Sequence, residues 1–134
     1  MTGRLHALLL TGGIVLTALL SGCGNKDHET TATTFVEHVY GGEIARAVDL
    51  VNPATVELMG RQELMQMLRF GHEAVLAEGK ALAGVSVQSS SVSEDGRSAE
   101  VVVEIQTGGG SVENERLRLI QVDERWYVRL EMGS

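Results

Sequence analysis

The sequence predicts an α+β fold, with about three N-terminal helices packed on a curved antiparallel sheet of about four strands. Apolar residues recur at spacings of three and four in the first half of the chain, which is typical of amphipathic helices. They alternate with polar residues in the second half, which is typical of strands with one buried face. Helices followed by antiparallel strands favour an α+β domain with the helices on one sheet face. The length of 134 residues leaves room for one small domain.

The N-terminus has the layout of a secretory signal peptide. Arg4 precedes a short apolar run from Ala7 to Leu20, and small residues follow the run. A helix that spans a bilayer needs about 20 consecutive apolar residues, whereas this run is shorter and is interrupted by the letters TGG. We therefore expect residues 1–22 to be a signal peptide rather than a permanent transmembrane anchor.

The only cysteine of the chain, Cys23, closes the segment LSGC. This segment resembles the lipobox of bacterial lipoproteins, in which a branched apolar residue and two small residues precede the cysteine. The resemblance implies cleavage just before Cys23 and the attachment of acyl chains such as palmitate to it. The alternative is an ordinary signal peptide with a chance cysteine, which leaves an exported chain with a stray thiol. One acyl chain holds a protein only marginally, so two or three chains would give a durable anchor.

The lipobox resemblance also implies a place in the bacterial cell envelope. Gly24, rather than an aspartate, follows the cysteine, and this is similar to the pattern that sorts lipoproteins to the outer membrane. We expect an outer-membrane location facing the periplasm if the envelope is Gram-negative. Residues 23–33 then comprise the lipidated cysteine and a polar tether, since NKDHETTATT shows no apolar periodicity.

The acidic composition argues against one class of partner. Loss of residues 1–22 removes Arg4 and none of the 18 acidic residues, so the formal charge falls from −7 to −8. Nucleic acids and anionic lipid surfaces bind basic protein surfaces. We therefore expect no nucleic-acid partner, and a membrane contact that depends on the lipid rather than on surface charge.

Apolar stripes at helical spacing predict the helices. The first stripe lies before Gly41–Gly42, and the second ends at Asn52–Pro53. The segment ATVELMG that follows is either a turn or a short helical piece. The longest helix is predicted to begin at Arg61 and to end near Gly79. The apolar residues that define these stripes are Phe35, Val36, Val39, Tyr40, Ile44, Val48, Val51, Leu64, Leu68 and Val75.

Alternation of apolar and polar residues predicts the strands. SAEVVVEIQ places Ala99, Val101, Val103 and Ile105 on one face, and RWYVRL alternates in the same way. ERLRLIQV changes face midway, which a bulge or a strongly bent strand would explain. The strand around Val85 is the least regular, because serines follow it. EDGR and VDER are expected to form short turns, and GGGS a looser one.

The order of these elements resembles the nuclear-transport-factor-2-like (cystatin-like) fold, a bent sheet wrapped against three helices. The resemblance depends on FVEHVYGGEIARAVDLV, with a glycine break between two helices, and on the closing DERWYVRL, with a tryptophan just after an acidic turn. It implies a single domain over residues 34–131. It also implies a cone between helices and sheet, where enzymes of this fold place a proton-transfer residue, and a sheet face that often forms homodimers.

His72 and Tyr40 are the residues expected to approach this cone. His72 lies between Leu68 and Val75, near the apolar stripe of the long helix, and its imidazole could transfer a proton or bind a ligand. Tyr40 ends the first helix, where its hydroxyl could point into a cavity. Each residue also has a structural interpretation: a hydrogen-bonded histidine at the helix margin, and a packed ring with a hydrated hydroxyl.

Two further groups of side chains have both a structural and a binding interpretation. Four arginines on the last strands either pair with Glu100 and Glu104 or form an anion site. Three methionines near the helix junction either fill the core or line an adaptable apolar groove. No histidine spacing indicates a metal site, so we expect neither a metal nor a cofactor. The arginines and methionines concerned are Arg116, Arg118, Arg125, Arg129, Met59, Met65 and Met67.

The sequence favours an envelope-anchored lipoprotein, lipidated at Cys23, that binds rather than catalyses. No set of residues matches a known catalytic constellation, and an aromatic content of 4% is low for a protein with a ligand pocket. The expected partner is a protein or a small apolar ligand, and a homodimer through the sheet face is a further option. The alternative is a small cone-fold enzyme of isomerase or hydrolase type that uses His72 or Tyr40.

Overall fold

Residues 27–130 are described by the computed structural model, and they form four helices packed against an antiparallel sheet of four strands. The strand order follows the chain, so each strand pairs with the next one. This confirms the predicted α+β class. The expected signal peptide and Cys23 lie outside the described residues. The elements are α1 (His28–Gly41), α2 (Ile44–Val48), α3 (Pro53–Met59), α4 (Arg61–Ala77), β1 (Leu82–Val92), β2 (Ser98–Thr107), β3 (Val112–Val122) and β4 (Arg125–Arg129).

Helix α1 begins earlier than the sequence predicted. The Asp27 side chain caps it by accepting a hydrogen bond from the Glu29 amide at 3.0 Å. Thr31 and Ala32 are buried, and the Thr31 hydroxyl donates to the Asp27 carbonyl at 2.9 Å. Because the helix itself satisfies this hydroxyl, a polar residue can pack inside. The expected polar tether over residues 23–33 is therefore wrong for residues 28–33, which are helical.

The glycine pair ends α1, as predicted. Gly42 has a φ of 77°, in the left-handed region that favours glycine. Its amide donates to the Val39 carbonyl at 3.2 Å, and the Glu43 amide donates to the His38 carbonyl at 2.9 Å. These two bonds form a Schellman motif, which satisfies the last carbonyls of the helix.

Asn52 and Pro53 both end one segment and start the next. The Asn52 side chain accepts a hydrogen bond from the Ala54 amide at 3.2 Å, and Pro53 occupies the first turn of α3, where its missing amide hydrogen costs nothing. The segment interpreted as either a turn or a helical piece is thus a helix, which makes four helices rather than about three. The chain just before it runs beside β4: Val128 donates to the Leu50 carbonyl at 2.7 Å, and the Asn52 amide donates back to the Val128 carbonyl at 2.9 Å.

The face change in ERLRLIQV does not involve a bulge. Strand β3 pairs with β2 from Ser98↔Ile120 to Gln106↔Val112 and continues in register with β4. Ile120 lies on the outer face directly opposite Tyr127. The register shifts lie in β1 instead, which continues through its serines to Val92. Of the two explanations considered for β3, a bulge or a strongly bent strand, the bulge is therefore wrong, and the register shifts lie in β1.

The core lies between the helices and the inner face of the sheet. The predicted inward residues of β2 are all buried, and so are Trp126 and Val128 on β4. Helix α4 contributes only one fully buried residue, Leu64, while Leu68 and Val75 are half-buried. This helix therefore lies at the margin of the core with most of its surface open. Within residues 27–130, no helix has both the length and the apolar character needed to cross a membrane.

Candidate functional site

His72 is packed at the junction between α4 and the end of α1. A Cβ built on Gly42 would lie 3.0 Å from His72 Nε2 and 3.4 Å from Cε1, so the imidazole occupies the space beside this glycine. The Nδ1 atom is buried and has no hydrogen-bond partner in the described part of the chain. The ring is thus one wall of a helix–helix contact, rather than a group that projects into open space.

Tyr40 lies close by, in the last turn of α1, half-buried against the core. Burial, followed by the negative charges of Glu115 and Glu113, raises the pKa of Tyr40, and Lys80 offsets part of this effect. A phenol whose pKa is raised stays protonated at neutral pH. Tyr40 can therefore donate a hydrogen bond, but the environment does not prepare it to act as a base.

The charged groups that act on Tyr40 also interact with one another. Lys80 Nζ lies 2.6 Å from Glu113 Oε2 and 3.3 Å from Glu78 Oε1, and these bonds raise the pKa of Lys80. Atoms packed around the Glu115 carboxyl, and then the charge of Glu113, raise the pKa of this carboxyl, although the residue as a whole is exposed. The result is an acidic corner in which Lys80 pairs with Glu113 and Glu78, while the charged form of Glu115 is disfavoured.

The sequence analysis missed these carboxylates. The sequence did contain a pattern that places them on the inner face, because residues two apart on a strand share a face. Glu113 and Glu115 are in phase with the buried Leu117 and Leu119. The acidic corner therefore belongs to the inner face of the sheet. Within residues 27–130, no group of three or more histidine, cysteine, aspartate or glutamate side chains could hold a metal ion.

An open apolar groove runs along the outer side of α4. Phe70 is 76% exposed, and Met67 beside it is also exposed. The groove has a volume of about 550 Å³. We call it the α4 groove; it is lined by Met59, Glu63, Gln66, Met67, Arg69, Phe70 and Glu73.

The three methionines were expected either to fill the core or to line an apolar groove, and the structure shows both cases. Met59 and Met65 are half-buried and pack against the core, whereas Met67 is exposed in the groove, which Met59 also lines. Phe70 was not identified from the sequence. Its position, six residues after Leu64, gives a rotation of 240° at 100° per residue and so puts it on the far side of the helix from the buried stripe.

The outer face of the sheet is mainly polar. Arg116 and Arg118 both approach Glu100, with Nε to Oε2 distances of 3.9 and 3.7 Å, which confirms the expected pairing with this carboxylate. Glu104 instead accepts a hydrogen bond from the Gln106 amide at 3.0 Å. Three apolar residues on this face, where the resemblance implied a homodimer interface, are half-buried among these charges: Val102, Ile120 and Tyr127.

Comparisons with known proteins agree with this architecture. A protein from Campylobacter jejuni described as an NTF2-like transpeptidase superposes with a TM-score of 0.65 at 13% identity, covering 77% of this chain and 97% of that one. A SEC-C motif containing protein from Rhodopseudomonas palustris superposes with a TM-score of 0.56 at 17% identity, covering 87% of this chain and 86% of that one. At such identities the likeness concerns the fold alone. No curated protein matches the chain.

The sequence itself matches one family. Residues 21–129 fit the family described as "Domain of unknown function (DUF4878)". This match covers most of the chain and all but the last residue of the described region. The chain therefore belongs to the DUF4878 family, and its domain has an NTF2-like fold.

Proposed function

We propose that this chain is a lipid-anchored protein of the bacterial cell envelope whose NTF2-like domain binds an apolar segment of a partner protein in the α4 groove. The observation that carries the proposal is Phe70, exposed over 76% of its surface beside Met67. Large apolar side chains grouped on a surface mark interaction sites more often than single exposed ones do. Aromatic residues and methionines are also enriched where proteins bind each other.

The shape of the groove favours a protein segment over an enclosed small molecule. Sites for small molecules bury most of the ligand surface, whereas the α4 groove is open along a helix. Glu63 and Glu73 lie near its two ends, and Arg69 is its one basic residue. A partner segment with apolar anchors and flanking lysine or arginine residues would complement this charge.

The lipid anchor is supported by the LSGC segment, and the position of α1 determines how far from the anchor the domain would lie. The helix begins at His28, five residues after Cys23. Five residues span at most about 18 Å when fully extended. The proposed anchor would therefore hold the domain close to the membrane surface, with little freedom to diffuse away from membrane-bound partners.

The alternative enzyme function, using His72 or Tyr40, has less support from the geometry. The His72 ring packs against Gly42, and the raised pKa of Tyr40 makes this phenol a poor base. Apolar side chains occupy the space between helices and sheet that the cone-fold enzymes use. We therefore place binding ahead of catalysis.

Site-specific photo-crosslinking in intact envelopes tests the groove. A benzophenone side chain at Gln66, inside the groove, should yield a discrete protein adduct that Phe70→Ser removes. Leu76→Ser is the matched control, because Leu76 is 49% exposed on the same helix but does not line the groove. An adduct unaffected by Phe70→Ser, or adducts of low mass only, would contradict a protein partner in this groove.

Intact-mass analysis of the native protein tests the anchor separately. The mature chain should begin at Cys23 and carry the mass of two or three acyl chains, and Cys23→Ser should abolish this mass. An unprocessed chain, or one cleaved but free of acyl groups, would contradict the anchor without affecting the groove.

A further inference from the structure

The residues of the α4 groove form a strip that runs along the helix. Glu63, Met67 and Phe70 are spaced four and three apart, and Gln66 and Glu73 continue the strip on one side of this line. All five side chains are exposed. At 1.5 Å per residue, the strip from Glu63 to Glu73 is about 15 Å long, or almost three helical turns. Side chains at these spacings form the ridges and grooves against which a second helix packs.

The backbone of α4 offers few hydrogen bonds to an incoming chain. Beyond the first and last turns of the helix, its amides and carbonyls bond to one another. An extended segment gains affinity from main-chain bonds to a free strand edge, which this surface lacks, and its own backbone groups would lose water without replacement. A helical segment bonds its backbone internally, so it can lie against α4 without this cost.

The composition of the groove also disfavours a proline-rich segment. Such segments bind in grooves lined with several aromatic side chains. Among the residues that line the α4 groove, Phe70 alone is aromatic. Apolar anchors spaced three or four residues apart on a helix match the spacing of Met67 and Phe70 instead.

The charges at the two ends of the strip disfavour a second copy of this chain. In a parallel pair of α4 helices, Glu63 would lie opposite the same residue of the other copy. In an antiparallel pair centred between Met67 and Phe70, Glu63 would lie opposite position 74 and therefore beside Glu73 of the other copy. Both arrangements bring carboxylates together, and each copy carries a formal charge of −7.

The strip is more acidic at its Glu63 end. Neither Glu63 nor Glu73 forms an ion pair or a hydrogen bond within residues 27–130. Arg69 lies one turn before Glu73 and offsets part of the negative charge there, whereas Arg61, near the other end, pairs with Asp49 at 3.0 Å. A basic side chain of a partner would therefore be attracted most strongly to Glu63.

We propose that the segment bound in the α4 groove is an amphipathic helix of a different protein, with a lysine or arginine that faces Glu63. This inference rests on the proposed function and specifies the conformation and charge of the partner. Apolar residues at positions i and i+3 or i+4 of the helix contact Met67 and Phe70. The basic residue lies one to two turns away on the same face of the partner helix.

Crosslinking from two positions of the full chain in intact envelopes tests the conformation of the partner. A benzophenone side chain is placed at Gln66 or, in a second variant, at Glu73, which lies about 10 Å further along the helix. Mass spectrometry of each adduct identifies the partner residue that is attached. For a helical partner, the attachment point should move by about five to seven residues between the two variants, depending on the crossing angle. For an extended partner, it should move by only about two or three.

The possible results separate this inference from the proposed function. A displacement of two or three residues would overturn the helical partner while leaving a protein partner in the groove. An adduct with twice the mass of this chain would identify a second copy and would also overturn the inference. Absence of a protein adduct at Gln66 would contradict the proposed function and this inference together.

A charge reversal tests the basic residue of the partner. Glu63→Lys should lower the yield of the Gln66 adduct about fivefold or more. Glu57→Lys is the matched control, because it makes the same change of charge on α3 outside the groove and should leave the yield within about twofold. Replacement of the facing lysine or arginine of the partner by glutamate should restore the yield with Glu63→Lys. A yield that Glu63→Lys leaves unchanged, in a variant whose melting curve shows that it is folded, would overturn the basic partner.

Discussion

The imidazole of His72 lies against the α-carbon of Gly42, so that a Cβ on this glycine would lie 3.0 Å from Nε2. Gly42 also has a φ of 77°. Two independent constraints, backbone conformation and the neighbouring ring, thus require glycine at the end of α1. The contact joins α4 to this helix end.

Gly42→Ala is therefore expected to destabilise the domain. The left-handed conformation costs about 1–2 kcal/mol for a residue with a Cβ, and displacement of the imidazole adds to this loss. Gly41→Ala is the control: a Cβ there meets nothing within 4 Å, and alanine in a helix gains about 0.5–1 kcal/mol over glycine. Thermal unfolding should move in opposite directions for the two variants.

A double-mutant cycle separates the two causes of the Gly42→Ala loss. If the ring contributes, His72→Ala should recover part of the loss in the Gly42→Ala background, because the removed imidazole no longer meets the new methyl group. Strict additivity of the two changes would contradict the contact and leave only the backbone conformation as the cause.

The acidic corner predicts how stability depends on pH. Burial, and then the Glu113 charge, raises the pKa of Glu115 above its ordinary value of 4.5 in the folded state. The folded protein then binds this proton more tightly than the unfolded chain does, so the contribution to stability is largest at low pH and is lost as pH rises through the folded pKa.

Glu115→Gln should remove this loss. Relative to the original protein, the variant is expected to be more stable at pH 7–8, with the difference shrinking toward pH 4, as measured by urea unfolding across this range. Glu57→Gln, which removes a carboxylate on α3 outside the acidic corner, is the control. A gain for Glu115→Gln that is equal at all pH values would contradict the titration of this carboxyl.

The turn between β3 and β4 contains avoidable strain. Asp123 and Glu124 have φ values of 50° and 66°, and they form the two-residue loop between the paired residues Val122 and Arg125. Such hairpin loops favour asparagine and glycine. Glu124→Gly should therefore stabilise the domain by about 1 kcal/mol, which raises the midpoint of thermal unfolding by roughly 4–8 °C for a domain of this size.

The β1–β2 turn supplies a control for this prediction. There the positive φ belongs to Gly96, not to Glu94. Glu94→Gly should consequently give no gain and a small loss from added chain entropy. Equal stabilisation by both glycines would mean that the strain at Glu124 does not limit stability.

The exposure of Phe70 predicts that its removal costs little stability. Phe70→Ser should change the free energy of unfolding by no more than about 0.5 kcal/mol, as for other surface substitutions. Leu64→Ala on the same helix should lose about 2–5 kcal/mol, because Leu64 is fully buried. Chemical denaturation measures both, and a large loss for Phe70→Ser would show that the ring serves the fold rather than a partner.

Local patterns predicted the parts of this fold that local forces determine. Strand β2 alternates cleanly, and its four predicted inward residues are buried. The glycine break after α1 and the caps at Asn52 and Pro53 are also local features, and the structure has them where the sequence indicated. The start of α1 was missed because its threonine-rich segment has a polar composition. The Thr31 hydroxyl is nevertheless satisfied by a hydrogen bond within the helix, which composition does not reveal.

The candidate sites depend on contacts between distant segments, which the sequence could not specify. His72 contacts Gly42, although the two residues are 30 positions apart in the chain. Local sequence patterns therefore do not predict this contact. Tyr40 acquires its raised pKa from carboxylates on β3. The opposition of Arg118 and Arg129 depends on the register in which β3 pairs with β4, which the sequence does not specify.

The two register shifts in β1 have a consequence for behaviour at high local concentration. A regular outer strand of 11 residues would offer its unpaired amides and carbonyls to the same strand of a second molecule, and such pairing leads to aggregation. Shifts between Leu82 and Gly84 and between Val87 and Ser89 interrupt that repeat and bend the strand. At high local concentration, the irregular β1 edge therefore disfavours the pairing of strands between neighbouring molecules into a continuous sheet.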